Sequence, residues 1–262
     1  MAANDDRTVG NNSFIVRHPP TFDDPAAERR HRLERLAGAA RLFGRFGFSE
    51  GLLGHITVRD PEHADRFWAT PMGISFRKLR VSDLVCVDHD GTTIEGRHPV
   101  NPVGLLLHSA VHRARPDVVA VCHAHSQHGK AFSSLGKLLD PITQDACVFF
   151  EQTALIREPR LATDRAGADA FAAAFGTMRC AIQVGHGLFS TGQSIDEAAW
   201  TFISMDRACQ VQLLADAAGT PELWPAETAR RLATAFSNPT MGWLAFQTLW
   251  DEVVDTDPDL FD

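Results

Sequence analysis

The amino-acid sequence predicts an α/β layered domain with mostly antiparallel strands and a helical C-terminus. Three features support this: an amphipathic first helix, a run of short strands with a hairpin turn signal, and long helical segments after residue 194. The chain has 262 residues, of which 44% are hydrophobic, so it can bury one sizeable core. We therefore expect one domain over residues 25–262, preceded by a polar, flexible arm over residues 1–24.

Hydrophobic spacing and turn residues predict the first elements in chain order. Apolar residues at helical spacing predict a helix over residues 26–47 that ends near Gly44 and Gly47. Short strands follow, and Asp90-Gly91 is the turn signal of a hairpin between two of them. The predicted strands span residues 56–58, 67–69, 84–87, 92–94, 117–122, 180–184 and 188–190.

Helices complete the pattern and dominate its last part. Pro102 is typical of the first turn of a helix, which we expect to run to about Arg115. Ser194 and Glu197 have the spacing of a capping box at the start of a long helix. The predicted helices after the first span residues 102–115, 126–135, 164–176, 194–217, 226–235 and 240–253.

Composition excludes several classes of function. The net charge of -8, without a long Lys/Arg run, argues against nucleic acid or an anionic membrane surface as a partner. No apolar run reaches the ~18 residues of a membrane span, and the first ten residues lack a signal-peptide core. Five cysteines without CxxC spacing fit a cytoplasmic protein without disulfides. Tyrosine is absent, which excludes a tyrosine acid, including one from a neighbouring copy of the chain.

Three histidines form the strongest functional signal. The stretch 122–125 follows an apolar run that predicts a buried strand, and side chains two residues apart on a strand share a face. His123 and His125 therefore emerge together at the end of this strand. His186 is flanked by glycines, which leave its imidazole uncrowded. Zinc and iron sites commonly use three imidazoles and keep positions open for substrate, so we expect a metal site at these three histidines.

Other polar residues give weaker signals. His108 and His112 lie four residues apart on a predicted helix. We expect His108 near the site without binding the metal, and His112 on a solvated helix face. Arg59 is a candidate anchor for an anion. Arg77, Lys78 and Arg80 are further candidates of this kind.

Six short motifs in order resemble the class II aldolase/adducin family over about residues 30–215. The motifs are Gly54-His55-Ile56-Thr57-Val58-Arg59, Thr70-Pro71-Met72-Gly73, Ser82-Asp83-Leu84, Ala114-Arg115-Pro116-Asp117, His123-Ala124-His125 and Gly185-His186-Gly187. The resemblance implies a three-layer α/β/α fold with a central, mainly antiparallel sheet. It also implies a cyclic homotetramer with sites between subunits, and a divalent metal held by the three histidines.

The departures from the family pattern point away from sugar-phosphate aldol cleavage. Family aldolases carry a proton-transferring Glu four residues before the histidine that matches His108, and this chain has Gly104 there. They also use a tyrosine acid from a neighbouring subunit. His55 replaces the usual Asn of the phosphate loop, and residues 101–103 replace a Ser-rich phosphate-holding segment. We expect Gly104 to open space for a ligand.

The remaining features indicate a metal and a more apolar substrate pocket. We expect Val103, Gly104, Phe149 and Phe150 to line it, although core packing is an alternative for both phenylalanines. Three neutral imidazoles leave the metal charge uncompensated, which favours a chelating small-molecule carboxylate. The stretches 47–51 and 140–147 resemble family members that are non-haem iron oxygenases of aminocoumarin antibiotic biosynthesis.

This resemblance implies Fe(II) and O2, and oxidative decarboxylation of an aromatic 2-keto or 2-hydroxy acid in secondary metabolism. His55, Arg59 and Glu151 are the catalytic candidates, with Glu151 as a further possible metal ligand. Zn(II) or Mn(II) with non-oxidative decarboxylation, or an aldolase-type lyase, is the alternative within enzymes. A non-catalytic, adducin-like interaction module is the alternative outside enzymes, and the three histidines argue against it.

Overall fold

The computed structural model describes residues 17–157 and 163–262 of the chain. Most of the expected N-terminal arm lies outside the described residues, and the first helix begins at Pro25. The elements are α1 Pro25–Arg45, β1 Gly54–Arg59, β2 Arg66–Ala69, β3 Val85–Asp88, β4 Thr93–Glu95, α2 Pro102–Ala114, β5 Ala120–Ala124, α3 Gln127–Ser133, α4 Gln144–Cys147, β6 Thr153–Ile156, α5 Arg165–Phe175, β7 Cys180–Gln183, β8 Gly187–Gly192, α6 Ile195–Ala218, α7 Ala226–Phe236 and α8 Pro239–Thr256.

The strands form an eight-stranded sheet in the order β4-β3-β2-β1-β5-β8-β7-β6. Neighbouring strands are antiparallel except β6 and β7, which are parallel. In the centre of the sheet, His123 on β5 lies opposite His55 on β1 and opposite Phe189 on β8. The register therefore brings the start of β1 and the end of β5 together.

Helices cover both faces of the sheet. On one face, Cys122 and Ala124 of β5 belong to a core with Leu36 of α1 and Phe202 of α6. On the other face, Val121 packs in a second core with residues of α2 and α5. This alternation along β5 is the two-residue period of a strand buried on both faces. The expected three-layer α/β/α fold with a mainly antiparallel sheet is confirmed.

Side-chain caps begin the helices that border the site. Asn101 Oδ1 accepts from the backbone N–H groups of Val103 and Gly104 at the start of α2, each at 3.1 Å. At the start of α6, Ser194 Oγ accepts from Glu197 N at 3.1 Å, which is the first half of the predicted capping box. The second half differs, because the Glu197 carboxylate accepts from Gln193 N and pairs with Arg179 instead.

Three details differ from the prediction. β5 begins at Ala120 instead of residue 117, because Val118 N donates to Arg115 O in the turn that follows α2. The sequence reading also missed α4 and β6. α4 has only four residues, and β6 is a short strand at the edge of the sheet.

Part of the apolar face of α8 packs within the chain. Trp243 and Phe246 are buried, and the Arg35 guanidinium of α1 lies 3.9 Å from the centre of the Trp250 ring. These side chains serve the intrachain core, whereas Leu244 and Leu249 are only partly buried. The five cysteines are buried and unpaired. Within the described ranges, no helix has the length and apolar character needed to cross a bilayer.

Candidate metal centre

Three histidines converge at the C-terminal end of β5. His123 lies in β5, His125 follows it directly, and His186 lies in the turn between β7 and β8. Their ring centroids are 5.0 Å (His123–His125), 5.0 Å (His123–His186) and 4.7 Å (His125–His186) apart. One nitrogen from each ring lies within 4.8 Å of the other two. Gly185, with a φ of +70°, supplies the left-handed backbone that turns the chain at His186.

The nitrogen geometry fits a divalent cation. His123 Nδ1 lies 2.8 Å from the carbonyl oxygen of Leu188, so Nδ1 carries the proton and Nε2 keeps its lone pair. His123 Nε2 lies 3.2 Å from His186 Nε2. Two imidazole nitrogens bound to one tetrahedral metal at about 2.1 Å are about 3.4 Å apart. The donor set and its spacing therefore match a metal held by imidazoles.

Burial keeps these imidazoles neutral. Desolvation lowers the pKa of His123 far below its usual range and lowers the pKa of His186 to about 4. The pKa of His125 is lowered by burial and then by the charge of Lys130. Lys130 Nζ pairs with Glu50 Oε2 at 2.6 Å, and both side chains are partly exposed. Because neutral imidazole is the form that binds metals, the cluster is prepared for a cation at neutral pH.

A second group of histidines lies beside this cluster, between β1 and α2. The rings of His55 and His123 have centroids 4.9 Å apart. His55 Nδ1 lies 2.9 Å from His108 Nε2, and His108 Nδ1 lies 2.8 Å from Thr57 Oγ1. Thr57 Oγ1 also lies 3.0 Å from His112 Nε2. We call these four buried residues (His55, His108, Thr57 and His112) the histidine chain.

The histidine chain corrects one expectation and adds a residue. His112 is 1% exposed and stacks on Phe67 with centroids 5.2 Å apart, so it does not lie on a solvated helix face. His108 lies beside the three-histidine cluster but is not a member of it. Thr57 was missed, because threonine is common in strands. The available signal was its position two residues after His55, on the same face of β1.

Comparison with known proteins identifies the family. Residues 34–213 match the family described as Class II Aldolase and Adducin N-terminal domain. The chain belongs to this family.

Two relatives align with nearly the whole chain. Decarboxylase NovR of Streptomyces niveus is 42% identical over 247 residues, which cover 93% of this chain and 92% of the relative. The 4-hydroxy-3-prenylphenylpyruvate oxygenase/4-hydroxy-3-prenylbenzoate synthase of Streptomyces roseochromogenus subsp. oscitans is 42% identical over 247 residues, which cover 93% of this chain and 89% of the relative. These similarities confirm the resemblance inferred from the motifs.

Solved structures of the family confirm the fold. The L-fuculose 1-phosphate aldolase from Glaciozyma antarctica PI12 is 40% identical and superposes with a TM-score of 0.86, covering 93% of this chain and 96% of that chain. An aldolase II superfamily protein from Pseudomonas syringae is 28% identical with a TM-score of 0.83, covering 89% of this chain and 96% of that chain.

Gly104 does not open space for a ligand, contrary to our expectation. A Cβ atom at this position would lie 2.2 Å from His55 Cδ2 and 2.3 Å from His55 Nε2. The His55 ring therefore fills the volume that a side chain at position 104 would enter. The two departures from the aldolase pattern, His55 and Gly104, are one coupled feature, since the imidazole fits only above a glycine.

The Arg59 side chain binds backbone carbonyl groups, which corrects its assignment as a catalytic residue. Arg59 lies at the other end of β1 from His55. Its guanidinium donates to the carbonyl oxygens of Ala64, His112, Arg115 and Val118 at 2.6–3.2 Å. These hydrogen bonds tie the end of β1 to the turn after α2, so we assign Arg59 a structural role.

The other expected site residues lie in different surroundings. The Glu151 carboxylate pairs with Arg230 of α7 at 2.8 Å, and Glu151 is not a member of the three-histidine cluster. Phe149 is buried and lines a separate cavity between α4, α6 and α8. Phe150 lies below the Arg230 guanidinium, whose carbon atom Cζ is 5.7 Å from the centre of the Phe150 ring. Val103 is partly buried in the first turn of α2, beside Gly104.

Loss of any ligand from the three-histidine cluster should remove most of the bound metal. We expect this for His125→Ala and His186→Ala with the fold intact, because both side chains are only partly buried. His123→Ala should also lose metal, with some loss of stability from the buried cavity. Elemental analysis after metal loading measures the effect, and His18→Ala at an exposed site is the control. Full metal occupancy in all three variants would refute the cluster.

A double-mutant cycle tests the coupling of His55 and Gly104. Gly104→Ala should destabilise the protein by about 1–3 kcal/mol, because the new methyl group overlaps the His55 ring. In a His55→Ala background, the same change should be neutral or stabilising, because alanine favours the helix. Denaturant unfolding of the metal-free proteins gives the four free energies. Equal costs in both backgrounds would show that the two positions are independent.

Proposed function

We propose that this protein is a metal-dependent enzyme that releases the carboxylate carbon of an aromatic 2-keto or 2-hydroxy acid as CO2, using Fe(II) and O2. The observation that carries this proposal is the His55 ring above Gly104, beside three neutral imidazoles. It places an imidazole where the family's aldolases carry a proton-transferring carboxylate. The proposal is supported by the 42% identity to a decarboxylase and to an oxygenase that is named for a phenylpyruvate.

The charges of the site favour a chelating acid. His123, His125 and His186 would hold the metal and bring no negative charge to it. A bound Fe(II) would supply positive charge and a site for O2. That charge would attract the carboxylate and neighbouring oxygen of a 2-keto or 2-hydroxy acid. His55 then lies next to the bound acid, because its ring contacts that of His123.

An apolar edge beside His55 fits the aromatic part of the substrate. A small cavity next to this residue is bordered by Leu52, Leu53 and Met72. The cavity has a volume of about 20 Å³, which is room for about one water molecule. Leu52 and Leu53 are 54% and 45% exposed, so the aromatic ring of the substrate would lie against these side chains, outside the cavity.

The reaction balances with one O2 for each CO2. An aryl-pyruvic acid and O2 give an aryl-2-hydroxyacetic acid and CO2. The 2-hydroxy acid and a second O2 give the aryl carboxylic acid, CO2 and water. No external reductant is needed, because the organic acid supplies all four electrons that each O2 accepts.

The assay compares metals and atmospheres on phenylpyruvate. Protein loaded with Fe(II) should release CO2 and consume O2 in a 1:1 ratio, and both should stop on chelation. Protein loaded with Zn(II) or Mn(II) is the matched control and should consume no O2. An oxygen electrode and headspace CO2 analysis give the two quantities.

Three outcomes would contradict the proposal. CO2 release that continues unchanged without O2 would identify a non-oxidative decarboxylase. Rapid cleavage of a ketose or aldose phosphate would identify an aldolase, as in the 40% identical solved structure. Absence of metal and of turnover would favour an adducin-like interaction module.

We also propose that the protein forms a homotetramer with a metal site near each subunit boundary. This proposal rests on the family resemblance. Light scattering should give a mass about four times the 28.7 kDa of one chain. A mass of one chain at micromolar concentration would contradict the tetramer.

A further inference from the structure

A large cavity lies on the α1 and α6 side of the sheet, whereas the histidine chain lies between β1 and α2. Its volume of about 530 Å³ falls within the range of about 300–1,000 Å³ that is typical of small-molecule sites. Among the described residues, it shares no lining side chain with the small cavity beside His55 or with the three-histidine cluster. The large cavity is therefore separate from the candidate metal centre.

One wall of the large cavity comes from helices that follow the matched family domain. The family match ends at residue 213, and α7 and α8 lie beyond it. Phe236 of α7 and Met241 and Ala245 of α8 line the cavity. The C-terminal helices therefore turn a face of α6 into the wall of a cavity, which the matched domain alone does not form.

That face of α6 presents polar groups along the cavity. Trp200, Ser204, Arg207 and Val211 line it, and their spacing of four, three and four residues places them on one side of the helix. Thr201 lines it as well and is only 7% exposed. Among the described residues, neither the Ser204 nor the Thr201 hydroxyl has a hydrogen-bond partner. Both hydroxyls are thus available to a ligand.

Aromatic side chains favour a flat ring as the apolar part of the ligand. Phe46, Phe149, Trp200 and Phe236 all line the cavity. Phe149 is buried, Trp200 is partly buried and Phe236 is 41% exposed. Aromatic side chains offer large apolar contact areas and pack on other rings in stacked or edge-to-face arrangements. A bound aromatic ring would therefore gain contacts and would cover exposed apolar surface.

Arg207 supplies the charge that a ligand would meet. Its Nη1 donates to Gln210 Oε1 at 2.9 Å, its Cζ lies 5.4 Å from the centre of the Phe46 ring, and it has no ion pair among the described residues. The other arginine that lines the cavity, Arg179, already pairs with the Glu197 carboxylate. A guanidinium without a carboxylate partner matches a carboxylate through two parallel hydrogen bonds.

Asp145 of α4 restricts where an acid can bind. Its carboxylate borders the same cavity, and it forms no ion pair with Arg207. An acid is repelled from the α4 wall by Asp145 and attracted to the α6 wall by Arg207. The charges therefore favour a single carboxylate that binds at Arg207.

We propose that the cavity between α4, α6 and α8 is a second ligand site, which binds an aromatic monocarboxylic acid. The acid group pairs with Arg207, and the ring lies against Phe149 and Trp200. This inference concerns a site other than the metal centre, and it does not rest on the proposed reaction.

The test measures binding to the full chain, with and without added zinc. Naphthalene-2-carboxylate is the probe, because it has a flat ring and a carboxylate but no neighbouring oxygen for chelating a metal. The uncharged naphthalene-2-carboxamide is the matched control ligand. Carbon-13 methyl NMR of labelled methionines shows where the probe binds, since Met241 lines the large cavity and Met72 borders the small cavity beside His55.

The carboxylate should shift the Met241 methyl signal saturably, with or without zinc, and should leave the Met72 signal unchanged. The carboxamide should bind about tenfold more weakly, because it lacks the charge-assisted hydrogen bonds. Arg207→Gln should weaken binding of the carboxylate about tenfold. Arg231→Gln, at an exposed site outside the cavity, should leave the affinity unchanged. Ala245→Phe should abolish binding, because the new ring fills the cavity.

Several results would overturn the inference. A probe that shifts only the Met72 signal would be a ligand of the metal centre. Absence of any shift at Met241 would show that the cavity is closed or covered by another copy of the chain. Equal affinity of wild type and Arg207→Gln would leave apolar contact as the only attraction. Unchanged affinity in Ala245→Phe would exclude the cavity. Tighter binding of 2-naphthylmethylamine than of the carboxylate would assign the site to a cation, held by Asp145.

Discussion

The site depends on the burial of neutral imidazoles between α2 and the sheet. Burial lowers the pKa values of His55, His108, His112 and His123 far below their usual range. A buried imidazole without partners costs about 1–3 kcal/mol, so each ring needs a hydrogen bond. Thr57 and the Leu188 carbonyl supply these bonds, and the Leu188 carbonyl places the His123 proton on Nδ1. The same constraint thus stabilises the interface and prepares the nitrogens for a ligand.

The register of the strands determines which buried imidazoles lie next to each other. His55 and His123 are direct partners in the β1–β5 ladder, and Phe189 of β8 stacks on His123 with centroids 4.0 Å apart. A shift of one residue would turn both histidines toward the core on the α1 and α6 side. The apolar residues that alternate with them, such as Ile56 and Cys122, hold the register because they belong to that core. Core packing therefore determines the geometry of the candidate metal centre.

Sequence reasoning reached the elements and the three-histidine cluster, because both depend on local patterns. Two-residue spacing on one strand was enough to pair His123 with His125. The spacing of histidines on α2 did not reveal that His112 is buried, because the sequence of a helix does not show which of its faces packs on the sheet. Gly104 was misread for a related reason. The missing side chain of glycine predicts free space, but the ring of His55, which lies 49 positions earlier in the chain, fills that space. Arg59 was misread because three of the four carbonyl groups that accept its hydrogen bonds lie more than 50 positions away in the sequence.

The exchange of a carboxylate for an imidazole changes the charge that a substrate meets. With a divalent metal, three neutral imidazoles and neutral His55, the site carries a charge of about +2. A glutamate at position 104 would lower it to about +1, and would also supply a base for removing a proton next to a carbonyl. The chain instead offers more positive charge and a neutral ring pinned by His108. Such a site binds a chelating acid more strongly and removes protons less well. Loss of CO2 needs strong binding of the acid and does not need removal of a proton by the protein. The histidine chain therefore suits decarboxylation better than aldol cleavage.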